Sequence, residues 1–320
     1  MSSVAVIGAG AWGTALAIQA ARAGNSVTLW VRDQTRAATI AASRENPHLP
    51  GMDLPEPIAV SSALPDIADL ALLAVPTQHL RAVVGRLPPL LAPLVVCVKG
   101  VEQATLRLPL EIVAEVRPDS PAAVLTGPNF AHEIAAGLPA AAVVAATDAG
   151  LREAVAAALG TPSFRLYGND DPIGAQVGGA AKNVIAIAAG AVIGAGLGEN
   201  ARAALITRGL AELARLAVAL GGRTETVMGL SGLGDLLLTC TGTASRNFSL
   251  GLALGRAEKL ADVLAARSSV TEGVATAPAL VARAQGVDMP VCVAVASLLA
   301  GRTTLAEAIA ALLARPRRDE

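Results

Sequence analysis

Two of the three lysines in this sequence sit where a plain surface charge has no reason to be. Lys99 lies in Val98-Lys99-Gly100 and Lys182 in Ala181-Lys182-Asn183-Val184, both apolar neighbourhoods. Lys259 stands in the polar run Arg256-Ala257-Glu258-Lys259 and reads as surface. The other 22 cations are arginine, which serves a surface charge equally well but does not release a proton near neutral pH. A desolvated lysine loses proton affinity and can act as an acid–base group. Lys182 follows Gly178-Gly179-Ala180-Ala181, at what reads as the start of a buried helix. Two further segments offer matching chemistry. Leu230-Ser231-Gly232-Leu233-Gly234-Asp235 is a glycine-rich turn that delivers one carboxylate, and Ser245-Arg246-Asn247 sets a hydroxyl, a guanidinium fork and an amide side by side. The tripeptide suits a phosphate. The plainer readings are a snorkelling surface lysine at Lys99, a domain-bridging lysine at Lys182, a helix cap at Asp235 and an ordinary polar loop.

A second kind of chemistry is written in Gly8-Ala9-Gly10-Ala11-Trp12-Gly13, directly after the apolar run Val4–Ile7. Glycines at this spacing, between a strand and a helix, permit a tight turn and close backbone approach to a pyrophosphate. The exposed N–H groups and dipole of the following helix favour the anion. About 20 residues further on, an acidic residue would take a ribose 2′-hydroxyl. Here Arg32 stands beside Asp33, so a 2′-phosphate on Arg32 and a hydroxyl on Asp33 are both open. The arginine favours NADP over NAD. Other strand ends, where ligands bind in open α/β sheets, are Val75-Pro76-Thr77-Gln78, Val98-Lys99-Gly100 and Thr126-Gly127-Pro128-Asn129-Phe130-Ala131. Thr77 also stands where it could cap a helix.

The elements that must position these residues follow from pattern. Strands are expected at Val4–Ile7, Val27–Val31, Leu70–Val75, Leu94–Val98, Ala122–Leu125, Ala141–Ala146 and Phe164–Tyr167. Helix-compatible stretches lie between them at Thr14–Ala23, Gln78–Leu87, Glu102–Val116 and Leu151–Leu159. Strands without polar alternation, separated by helices, imply a mostly parallel, doubly wound sheet buried on both faces. Pro47 to Pro57 reads as an irregular loop. After about Asp171 the strand signal stops and helical periodicity takes over, as in Ala201–Leu220 with Ile206, Leu210, Leu213 and Ala217 on one face. Helices are also expected at Glu258–Ala266, Ala277–Gln285, Val291–Leu299 and Leu305–Ala314. The fold class is therefore α/β, a Rossmann-type N-terminal domain (1–170) followed by an all-α domain (171–320).

Composition excludes several other classes. The 320 residues are 53% hydrophobic and 16% charged with a net charge of −1, which argues against disorder and against a nucleic-acid binder that relies on a basic field. Cys97, Cys240 and Cys292 are too far apart for a disulfide framework or a zinc cluster. With three histidines, none at ligand spacing, no metal site is expected. No signal peptide fits. The longest uncharged central stretch, residues 183–198, is short for a membrane span and reads as a buried core helix. A protein of a reducing, cytoplasmic compartment is expected.

Taken together, the blocks GAGAWGTALA, VPTQ, VKGVE, TGPNFAHEIAAGLPAA, GGAAKNVIAIAAG, ARAALITRGLAE, GLSGLGDLLLTCTG, SRNFSLG and VTEGVATA resemble, in order and over the whole length, the bacterial NAD(P)-dependent sn-glycerol-3-phosphate dehydrogenases. The resemblance implies reversible reduction of dihydroxyacetone phosphate to sn-glycerol 3-phosphate, supplying phospholipid synthesis. It implies Lys182 as proton donor, with Lys99, Gly127, Asn129, Asp235, Ser245, Arg246 and Asn247 on the substrate. It puts Gly8, Gly10, Ala11, Trp12, Gly13, Arg32, Lys99, Ala131, Arg246, Val270 and Glu272 on the NADP or NAD side. Asn129 stands where the family pattern has serine or threonine, and its amide can still donate to an oxygen. A small-molecule substrate is implied, with no nucleic acid and no transmembrane segment, and a homodimer is compatible with it. The competing readings are a related β-hydroxyacid dehydrogenase, which shares the architecture, and a non-catalytic nucleotide sensor, which leaves the buried lysine without a purpose.

Overall fold

Apolar runs without polar alternation demand cover on both sides, and the computed structural model provides it. It describes residues 2–88, 92–267 and 271–316. Strands β1 (Ser3–Ile7), β2 (Ser26–Trp30), β3 (Ile58–Ser61), β4 (Leu70–Leu73), β5 (Leu94–Val96), β6 (Ala122–Thr126), β7 (Ala140–Ala145) and β8 (Phe164–Asn169) form one sheet. Their order is β3-β2-β1-β4-β5-β6-β7-β8. Every neighbouring pair is parallel except β6 with β7. Alternate residues of the central strands feed two separate cores. Val4, Val6, Leu70 and Leu72 belong to one, with α1 (Ala11–Arg22), while Ala5, Ile7, Ala71 and Leu73 belong to the other, with α3 (Thr77–Arg86) and α4 (Pro109–Val116). Helices α2 (Gln34–Ser43), α5 (Ala131–Ala136) and α6 (Ala149–Leu159) complete this part. The strand order reverses between β1 and β4, the place where open α/β sheets bind ligands.

Three local expectations differ from the structure. Strand β3 has four residues at a sheet edge, too few and too mixed for a period to show. Helix α2 is half polar and mostly exposed, and Asp33 rather than apolar spacing starts it, its carboxylate accepting from Arg36 N at 2.7 Å. The stretch expected to be helical from Glu102 becomes helix only at Pro109. The residue before a proline is pushed out of the α region, and Leu108 sits at φ −71°, ψ 155°.

Past β8 the described chain is helical: α7 (Pro172–Gly194), α8 (Gly198–Ala219), α9 (Thr224–Met228), a π-helical turn (Leu230–Gly234), α10 (Asp235–Cys240), α11 (Arg246–Gly255), α12 (Leu260–Ala265), α13 (Glu272–Arg283), α14 (Pro290–Leu299) and α15 (Leu305–Leu313). Two compact units result. The first is Met1–Lys99 with Leu108–Gln176, the second Gly100–Arg107 with Val177–Glu320. Helix α7 has the length and composition to cross a membrane, yet 83% of its most apolar 18-residue window is buried inside the protein.

Helix α7 packs against its neighbours through backbone. A Cβ at Gly190 would collide with Phe248 O and one at Gly194 with Leu252 O. On the facing helix α11, a Cβ at Gly251 would collide with Ile187 O and one at Gly255 with Ala191 O. A Cβ at Gly178 would lie 2.5 Å from Ser231 O in the π-helical turn. Lys182, expected near a helix start, is therefore mid-helix: the glycines before it serve close packing instead of ending the helix.

Candidate functional site

In the first unit the glycine turn is shaped for a ligand's approach. Gly8 sits at φ +116°, and a Cβ there would be 2.8 Å from Ala74 O. A Cβ at Gly13 would collide with Gly8 O, so helix and strand pack without side chains between them. At Gly10 the Cβ position faces open space, with no heavy atom of the described residues within 4 Å beyond its own chain neighbours and the backbone of its helix. No side chain caps the N-terminus of α1, leaving the N–H groups around Ala11, Trp12 and Gly13 to an anion. An open cradle at Gly10 beside an uncapped helix N-terminus fits a dinucleotide's pyrophosphate.

Residues that sequence reading missed hold this turn. Asn46, fully buried, donates through Nδ2 to Ala9 O at 3.1 Å and to Thr14 Oγ1 at 2.6 Å. Arg36 donates to the same Ala9 carbonyl and to Asn46 Oδ1. Burial lowers the Arg36 pKa from its ordinary value, with Asp33 opposing. Both residues act through distant backbone, so no local motif marks them. At the end of β2, Arg32 is exposed, while one Asp33 oxygen is spent on the α2 cap.

Three more strand ends meet near Lys99. Its Nζ donates to Gly127 O at 3.1 Å, and its carbonyl accepts from Thr77 Oγ1 at 3.1 Å. Thr77 does not cap α3, whose N-cap position is Pro76. The Trp12 indole donates to Cys97 O at 3.0 Å. Gly127 adopts φ +136°, and beside it the Asn129 Nδ2 and Oδ1 atoms and Thr126 Oγ1 are buried without hydrogen-bond partners. Buried amides are almost always satisfied, so an orphaned one at a strand end marks a place for a ligand's polar groups. Ala131 opens α5 and is partly buried.

In the second unit Lys182 is 8% exposed and Asp235 is wholly buried. The two form an ion pair, and Lys182 Nζ also donates to Thr239 Oγ1 at 3.0 Å. Thr239 in turn donates to Asp235 O at 2.6 Å. Thr239 is a site residue that sequence reading missed. Its signal was available, because it follows Asp235 by four residues and so lies on the same helix face. The π-helical turn aims the carboxylate. Ser231 Oγ donates to Thr226 O at 3.1 Å, and a Cβ at Gly232 would collide with Val227 O. Cys240 lies on the same short helix, and burial pushes its thiol up to about 12.

The Ser245-Arg246-Asn247 tripeptide divides its labour. Ser245 caps α11, accepting from Phe248 N at 3.2 Å. Asn247 is buried, donating to Asn183 Oδ1 at 2.9 Å and accepting from Gly273 N at 3.0 Å, which ties α7, α11 and α13 together. Only the Arg246 side chain is exposed. The helix N-terminus and one guanidinium are thus what the segment offers an anion. Glu272 opens α13; Val270, expected on the cofactor side, lies outside the described residues.

Comparison with known proteins gives a consistent result. Residues 3–152 match the family described as NAD-dependent glycerol-3-phosphate dehydrogenase N-terminus, and residues 171–310 match the corresponding C-terminus. The chain is 60% identical over 318 residues to glycerol-3-phosphate dehydrogenase [NAD(P)+] of Acidiphilium cryptum, covering 99% of this chain and 98% of that protein. Its identity to the Gluconobacter oxydans protein of the same name is 53%, covering 98% and 97%. The crystal structure of glycerol-3-phosphate dehydrogenase from Coxiella burnetii superposes with a TM-score of 0.93 at 36% identity, covering 98% of this chain and 99% of that one.

Proposed function

The chain belongs to the NAD-dependent glycerol-3-phosphate dehydrogenase family, and from that premise we propose how its residues divide the reaction, with Lys182 as the group that moves the proton. The enzyme is an NAD(P)-dependent oxidoreductase that interconverts dihydroxyacetone phosphate and sn-glycerol 3-phosphate. The reduced nicotinamide, when bound, supplies the hydride. Residues 1–170 are the cofactor domain in this reading, with Gly8, Gly10, Ala11, Trp12, Gly13, Arg32, Lys99 and Ala131 holding the dinucleotide. Residues 171–320 are the substrate domain, with Arg246 and Glu272 also reaching the cofactor.

Reduction of a ketone builds negative charge on its oxygen. A nearby ammonium stabilises that charge and then protonates it. The observation that carries the assignment is the buried Lys182 ammonium, fixed by the Asp235 carboxylate and by Thr239 Oγ1 at 3.0 Å. Asp235 keeps the lysine in place and Thr239 sets the direction of one N–H. Lys99, Gly127 and Asn129 are substrate residues in this reading, and the Ser245–Asn247 segment takes the phosphate, chiefly through the Arg246 guanidinium and the α11 N-terminus. The product supplies glycerophospholipid synthesis. Cys97, Cys240 and Cys292 are free and buried, which suits a reducing compartment, and the enzyme is placed in the cytoplasm.

Arg32 is exposed while one Asp33 oxygen is engaged, so NADPH is the preferred reductant. The test is spectrophotometric: oxidation of NADPH and of NADH with dihydroxyacetone phosphate, for the wild type and Arg32→Ala. The variant should lose NADPH affinity about tenfold and NADH affinity less than twofold, the scale of a charge-assisted hydrogen bond. Equal losses for both cofactors would remove Arg32 from the 2′-phosphate, and no turnover of dihydroxyacetone phosphate by the wild type would remove the reaction.

A further inference from the structure

Strand β5 is only three residues long, and its ladder with β4 ends at Val96. One more backbone bond follows, from Cys97 N to Leu73 O at 2.9 Å, before the chain turns at Gly100 with φ +143°. The carbonyls of Cys97 and Lys99 lie beyond the ladder, and side chains grip them instead. Trp12 Nε1 donates to Cys97 O at 3.0 Å and Thr77 Oγ1 donates to Lys99 O at 3.1 Å. Thr77 is 3% exposed, so its hydroxyl has been withdrawn from water to make this bond. As the first residue of α3 it contributes nothing to capping that helix.

A lysine head group on a flexible four-carbon stem is well placed only if its backbone is fixed and one N–H is anchored. The anchor is Gly127 O, at 3.1 Å from Lys99 Nζ. The backbone fixation is what Thr77 and Trp12 provide. We propose that Thr77 is a positioning residue for the reaction: its hydroxyl, seconded by the Trp12 indole, holds the Lys99 turn so that the ammonium meets the substrate. This rests on the reading above that Lys99 contacts the substrate.

The test compares Thr77→Val, which keeps the shape and loses the donor, with Thr77→Ser, which keeps the hydroxyl. Lys99→Met is measured beside them. At saturating NADPH, Thr77→Val should raise the KM for dihydroxyacetone phosphate about fivefold, the worth of one neutral hydrogen bond. Its kcat should stay within twofold, and its NADPH Kd, read by cofactor fluorescence, should rise no further than that of Lys99→Met. Thr77→Ser should restore KM to within twofold of the wild type. A purely structural hydroxyl would lower Tm and leave KM alone. If Lys99→Met raises KM while Thr77→Val does not, or if the serine variant is as impaired as the valine variant, the positioning role is overturned. An unchanged KM in Lys99→Met refutes the substrate contact itself, and this inference with it. Should Thr77→Val fail to fold, Thr77→Ala, which removes the same donor, must show the raised KM for the proposal to stand.

Discussion

Replacing Lys182 with methionine tests the ion pair and the chemistry together, because the two respond differently to a second substitution. Methionine matches the lysine stem in length and removes the charge. The Asp235 side chain is wholly buried and that of Lys182 is 10% exposed, so the carboxylate cannot turn to water when its ammonium is gone. Breaking one partner of a buried pair costs roughly 3–5 kcal/mol. At roughly 2–4 °C per kcal/mol for a body of 150–250 residues, Lys182→Met should lower Tm by roughly 6–20 °C. Adding Asp235→Asn removes the stranded charge, and the double variant should regain at least half of that loss. Activity should not return: kcat falls by about 10² or more when a general acid is removed, in the single and the double variant alike. Differential scanning fluorimetry reads the first quantity and NADPH oxidation the second. A single variant that melts within 2 °C of the wild type would refute the energetic reasoning. Near-wild-type turnover in either variant would refute the proton role.

Two further substitutions probe the scaffold. Gly251→Ala places a methyl against Ile187 O; overpacking of this kind costs about 1–3 kcal/mol, so Tm should fall by roughly 2–12 °C, and a neutral melting curve would show that α7 and α11 have room between them. Burial pushes the Glu212 carboxyl above its ordinary 4.5, even though it accepts from Val291 N at 2.6 Å and Cys292 N at 3.1 Å. The folded state then holds this proton more tightly than the unfolded chain, so the residue's contribution to stability falls as pH rises from 4.5 through the raised value. The Tm advantage of the wild type over Glu212→Gln should accordingly narrow between pH 4.5 and neutrality; a gap that widens would reverse the sign.

What could be read from the sequence follows from how far each determinant reaches along the chain. The glycine turn was legible because Gly8, Gly10 and Gly13 act on neighbours within one strand–helix unit. The two-faced sheet was legible because Val4 to Ile7 and Leu70 to Leu73 carry no polar alternation to suggest an exposed face. Asn46 and Arg36 were not, because they meet Ala9 O from 37 and 27 residues away. The same holds for Trp12 on Cys97 O, a bond across 85 residues. Helix α2 was missed because a helix begun by an Asp33 cap and left on the surface needs no apolar stripe. Thr239 was overlooked although Asp235 was singled out, since a hydroxyl one turn away looks ordinary until a lysine from another helix arrives beside it.

The placement of that lysine exposes a constraint that composition alone conceals. A lysine with 8% exposure requires close walls on every side, and large side chains would hold neighbouring helices roughly 8–10 Å apart. Along α7 the walls come nearer because the side chains are gone: Gly178 admits Ser231 O, while Gly190 and Gly194 interlock with the Gly251 and Gly255 stretch of α11. The first contact brings in the turn that carries Asp235, and the second fixes the helix whose N-terminus carries Arg246. The alanine and glycine richness of this half is therefore a positional device. Each glycine forfeits helix propensity, about 1 kcal/mol relative to alanine, and in return sets a backbone-to-backbone distance that no rotamer can loosen. Substitutions at these glycines should consequently displace the proton donor and the phosphate-binding helix together, and an alanine there that lowers kcat without altering the KM for the phosphorylated substrate would show that the two are positioned separately.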